Sequence, residues 1–65
     1  MKEYRFLRKL TEEQAIDLDL LIGWRRESKI LLREEDEAVI GCIADESDML
    51  DFLSKYPKVK CERVP

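Results

Sequence analysis

Between Thr11 and Arg26 two interleaved apolar patterns predict different structures. Ile16, Leu18, Leu20, Ile22 and Trp24 recur at every second position, as the buried face of a strand would. The stretch nevertheless follows Thr11-Glu12-Glu13-Gln14, in which the Thr11 hydroxyl can accept from the Gln14 amide while the Gln14 side chain accepts from the Thr11 amide. Glu12 and Glu13 suit the positive end of a helix dipole, and Arg25 and Arg26 suit its negative end. These end signals decide for a helix over residues 11–27. Wound as a helix, the segment has two apolar stripes. Ala15, Leu18, Leu21 and Ile22 form one, while Ile16, Leu20 and Trp24 lie nearly opposite, with Asp17 and Asp19 wedged between. Such a helix is either covered on both flanks or presents apolar surface to water.

The remaining pattern is simpler. Alternation around Tyr4 and Phe6 predicts a first strand, and Lys29–Glu35 and Ala38–Ala44 predict a hairpin whose tip is an acidic cluster without Asn or Gly. From Asp45 or Ser47, either of which can cap, Met49, Phe52, Leu53 and Tyr56 recur at helical spacing until Pro57 forces the preceding residue out of the α region. Alternation over Lys58–Glu62 then predicts a final short strand. The order β, α, β, β, α, β resembles the split pattern of ferredoxin-like folds: an α+β sandwich with a four-stranded antiparallel sheet and two helices on one face. It spans residues 1–65 as a single domain. In that topology the first strand lies between the third and fourth. The other sheet face is open, and Leu7, Leu31 and either Val39 with Ile43 or Ile40 are expected on it.

Sixty-five residues bury only about 60% of their unfolded surface, so disulfides, a metal or association must supplement a thin core. Apolar residues at 45% and charged residues at 42% exclude both a disordered tail and a membrane-embedded protein. No apolar run spans a bilayer, and the first ten residues lack the continuous apolar centre of a signal peptide, so a cytoplasmic location is expected. The absence of Asn and the single Gln14 match the amide depletion of heat-adapted proteins, which points to a thermophilic source.

Cys42 and Cys61 fall on strands separated by the first, too far apart for a disulfide, and are expected as free, buried thiols. Two thiols without histidine cannot complete a structural zinc site, and Arg33–Glu37 and Asp45–Asp48 lack the ligand spacing and turn glycine of a calcium loop. No metal or cofactor is expected. Catalysis is also not expected, because Ser28, Ser47 and Ser54 have no evident base and the flanking charges of Cys61 alternate to its other face.

Charge is uneven. Residues 1–10 carry +3 through Lys2, Arg5, Arg8 and Lys9 against Glu3, and residues 57–65 carry +2 through Lys58, Lys60 and Arg63 against Glu62, leaving −8 in the middle of a chain with net charge −3. With the terminal strands adjacent, Arg5, Lys9, Lys58 and Lys60 form a basic patch that could meet nucleic-acid phosphates, although the aromatic surface of sheet-type RNA binders is missing and edge lysines also guard against sheet aggregation. The surplus apolar surface favours a different reading: a non-catalytic module that self-associates or docks on a larger protein. Trp24 is its expected anchor, with Leu20, Ile16, Arg25 and Arg26 around it, since Trp and Arg are enriched at binding hot spots. A phage- or virus-type inhibitor of a host protein differs from this only in its target.

Overall fold

The computed structural model describes residues 1–65. Its elements follow the order β1 (Lys2–Phe6), α1 (Glu12–Ile22), β2 (Lys29–Leu32), β3 (Val39–Ala44), α2 (Glu46–Lys55) and β4 (Cys61–Val64). The strands form one antiparallel sheet in the order β2-β3-β1-β4, giving the α+β, ferredoxin-like arrangement. Cys42 pairs with Tyr4 and Cys61 with Phe6 from opposite sides of β1, and both thiols are free.

The ambiguous stretch is helical, and both arms of the capping box form: the Gln14 amide donates to Thr11 Oγ1 at 3.2 Å and the Thr11 amide to Gln14 Oε1 at 3.0 Å. The helix stops five residues short of the expected 11–27. Gly23 closes it, donating its amide to the Asp19 carbonyl at 2.7 Å, and successive turns then return Arg25 N–H to Ile22 O and Ser28 N–H to Arg25 O. Glycine is the weakest helix former here apart from proline, and Arg25 is drawn away from the helix end to the first turn of α2. The expected pairing of Arg25 and Arg26 with the α1 dipole is therefore not formed: Arg25 pairs instead with Asp45 and Asp48 at the start of α2, and Arg26 forms no ion pair.

Tyr4, Phe6, Leu18, Ile22, Cys42, Ala44, Met49 and Phe52 make the core between the sheet and the helices. Phe52 joins the layers, its ring centroid 6.1 Å from Phe6 and 5.3 Å from Tyr56. Glu3 and Arg5 face the open side, across from Ile43 and Gly41. Gly41 is required there by close approach: a Cβ would lie 2.6 Å from the Tyr4 carbonyl oxygen.

Strand register differs from expectation at two places. Leu31 pairs with Gly41 but Leu32 with Val39, so Ile40 is an extra residue in a bulge, and Val39 turns into the core instead of onto the open face. Leu31 and Ile43 remain half-buried on that face, interrupted by Glu3 and Arg5 of the central strand. β4 begins at Cys61, not at Lys58, because the proline turn uses Val59 N–H to reach the Tyr56 carbonyl and pairing resumes only where Leu7 N–H meets Lys60 O at 3.0 Å. The hairpin tip supplies its own turn chemistry. Asp36 accepts from the Ala38 amide and from the Arg33 guanidinium at 3.1 and 2.7 Å, and Glu37 takes the left-handed conformation at φ 57°.

Candidate functional site

Helix α1 presents Ile16 and Leu20 of its second stripe to solvent, while Trp24 falls in the turn beyond Gly23 and not on the helix. Ile16 is 54% exposed, Leu20 72% and Trp24 71%, whereas Leu18 and Ile22 of the first stripe are fully buried and Ala15 and Leu21 pack against the core. An obvious cover would have been α2, but it lies on the Asp17 flank. There Asp17, half-buried, accepts from the Tyr56 hydroxyl and faces Lys55 Nζ at 2.8 Å. These contacts, led by the bond from Lys55, hold the Asp17 carboxyl below the usual carboxylate range. Its own bond to Asp17 pushes the Tyr56 hydroxyl up to about 12. A shallow groove of about 340 Å³ remains between the helices, with Leu21 and Phe52 among its walls and Leu20 on its rim. The outward face of α1 is thus apolar along its middle, with exposed Glu12 and Glu13 at its start and exposed Arg26 just beyond its end.

The two arginines expected around Trp24 have separated roles. Arg26 is exposed and forms no ion pair. Arg25 is only half-buried, but it reaches the buried Asp48, with Nε 2.6 Å from Oδ2 and Nη2 3.3 Å from Oδ1, and lies 3.7 Å from Asp45. Asp45 occupies the capping position of α2 without making the side-chain cap, its carboxylate being turned to Arg25. The Arg25 guanidinium also lies 4.5 Å from the centre of the Trp24 ring, covering part of one face of the indole. Arg25 therefore positions Trp24, and it is Arg26 that is free to meet another surface. Sequence reasoning missed Asp48 because its partner lies 23 residues away and nothing local marks the pair.

The basic residues are only partly gathered. Lys9, Lys58 and Lys60 line one open cleft of about 520 Å³, joined by Arg8, which was not singled out for this patch from the sequence. Arg5 is not among them, since alternation with the buried Tyr4 and Phe6 turns it onto the open sheet face.

In both acidic clusters the aspartates are engaged by arginines, Asp36 by Arg33 and Asp45 and Asp48 by Arg25, while Glu34, Glu35, Glu37 and Glu46 form no ion pair. Bonds from Arg33 and the Ala38 amide hold Asp36 down to about 2. Burial pushes the Cys42 thiol up to about 12 and raises Cys61 as well, so neither is poised as a nucleophile at neutral pH. No helix is long and apolar enough to cross a membrane. Comparison with known protein families, characterised proteins and solved structures finds no match to this chain, which leaves its own geometry as the guide to function.

Proposed function

We propose that this chain is a non-catalytic protein–protein interaction module whose contact surface is the outward face of α1, and that its partner there is a second copy of itself. The observation that carries the reading is the exposure of Ile16 and Leu20 on the outward face of α1 and of Trp24 in the turn just beyond its end. A monomeric protein of this size has little reason to hold a Trp and two aliphatic side chains in water.

Charge placement supports a second copy. Two α1 helices packed antiparallel about a dyad at Leu20 would set Leu20 against its equivalent, Ile16 near the turn that carries Trp24, and Arg26 against Gln14 next to Glu13, with Glu27 at the same end. A parallel pair would oppose like charges instead. Burying the exposed fractions of the three side chains is worth roughly 5–8 kcal/mol per copy at about 25 cal/mol per Å². Two copies together gain about 10–16 kcal/mol, and against association costs of about 4–15 kcal/mol the margin corresponds to a dimer in the micromolar-to-millimolar range.

Trp24 is the only tryptophan and reports on this face directly. Its emission should shift to the blue with rising concentration. Arg26→Glu should weaken the shift and a further Glu12→Lys/Glu13→Lys change in the same chain should restore it. Emission independent of concentration up to the millimolar range would exclude self-pairing.

A further inference from the structure

A second feature lies at the far end of the sheet from Trp24's turn and is independent of the α1 face. The segment after β1 and the segment before β4 wall the cleft that Arg8, Lys9, Lys58 and Lys60 share. Backbone bonds hold both walls in place: Leu7 N–H to Lys60 O at 3.0 Å, Leu10 N–H to Val39 O at 3.2 Å, and Val59 N–H to Tyr56 O at 3.0 Å. Leu10 is buried beneath, which anchors the first wall to the core.

No carboxylate lines the cleft, and none of its four cations is in an ion pair. Only Lys9 reaches toward the acidic hairpin tip, where its field falls on Asp36. In a chain of net charge −3, four like charges around one concavity are mutually repulsive and stay together at some cost in stability. The volume, about 520 Å³, is that of a small-ligand site. A ligand matching it must bring three or four negative charges into that space. Successive carboxylates of an extended acidic peptide point to opposite sides, whereas linked phosphates concentrate charge on one side. The guanidinium fork of Arg8 and the point charges of the lysines are both suited to phosphate oxygens.

We propose that this cleft binds a ligand carrying two or more linked phosphates. The polyphosphate of a nucleotide and the phosphodiester run of a short single strand present the same chemistry. Leu7, 60% exposed at the lip, and Val59 offer an apolar rest for a sugar or base, and with Tyr4 and Phe6 buried in the core no aromatic platform stacks bases. Binding is therefore independent of base sequence.

The test is an amide-resolved NMR titration of the full chain with sodium triphosphate and, separately, with a short thymidine oligonucleotide. Shifts confined to residues 7–14 and 58–60 are expected. Lys58→Glu/Lys60→Glu should weaken binding about tenfold or more, and Arg8→Glu serves if that variant does not fold. For the oligonucleotide, log K should fall with log salt at a slope of about −2 to −3. The tighter of the two ligands names the source of the phosphates, and either one supports the site. The proposal is overturned if neither ligand moves these amides at low-millimolar concentration, if Arg5, Arg26 and Arg63 respond as strongly, or if charge reversal leaves affinity unchanged.

Discussion

Replacing Arg25 with methionine separates its structural role from any role at an interface. Met keeps much of the aliphatic stem but removes the guanidinium that lies over Trp24 and faces Asp48, whose side chain is only 8% exposed. Breaking a buried ion pair from one side costs about 3–5 kcal/mol because the remaining charge is stranded. Here Arg25 is itself 33% exposed, so water can enter and solvate part of Asp48, and the expected loss is nearer 2–3 kcal/mol. A 65-residue domain has roughly 3–10 kcal/mol in all, so the variant should be close to its folding limit. In urea, with a slope near 1 kcal/mol per M, the midpoint should drop by about 2 M. Arg25→Met/Asp48→Leu should recover most of the loss, since the carboxylate then goes with its partner. A midpoint shift below about 0.5 M for the single variant, or a double variant as unstable as the sum of its parts, would refute the pairing.

Gly41→Val should destabilise by about 2–3 kcal/mol, because the new Cβ meets the Tyr4 carbonyl oxygen at 2.6 Å and must push β1 from β3; a thermal melt unchanged from wild type would count against the register. Acid should weaken the hairpin in a defined window. The folded-state value of Asp36, about 2, lies below its ordinary 3.8, so its contribution is complete above about pH 4 and is lost as pH falls toward 2. A carboxyl-carbon NMR titration should show that midpoint, and Asp36→Asn should flatten the acid limb of the stability profile. Thiol reagents should leave native Cys42 unmodified at neutral pH, yet label both cysteines once the unreduced chain is unfolded; labelling of neither in denaturant would contradict the strand order.

The element order and strand order were readable because local signals marked them: the Thr11–Gln14 box against a strand-like alternation, Pro57 at a helix end, and apolar spacing through Met49 and Phe52. What was not readable depended on contacts between distant segments. α1 ends at Gly23 because Arg25 is claimed by Asp48 on α2, and Val39 enters the core because a bulge at Ile40 shifts the pairing. A hairpin without Asn or Gly looked poorly specified, but Asp36 bonds the turn backbone and Arg33 together. At the candidate face, the outward position of Ile16 and Leu20 followed from their angle on α1. The flank α2 would take followed instead from Tyr56 and Lys55 meeting Asp17, a choice no local pattern encodes.

Sedimentation equilibrium of the wild type beside Leu20→Glu, over concentrations from micromolar to millimolar, addresses the α1 face most directly. Leu20 is 72% exposed, so the substitution leaves the fold intact and alters only what the face can meet. The account predicts a monomer–dimer equilibrium within the micromolar-to-millimolar range for the wild type and a monomer throughout for the variant. A wild type that stays monomeric at millimolar concentration, or a Leu20→Glu chain that dimerises equally well, would contradict it.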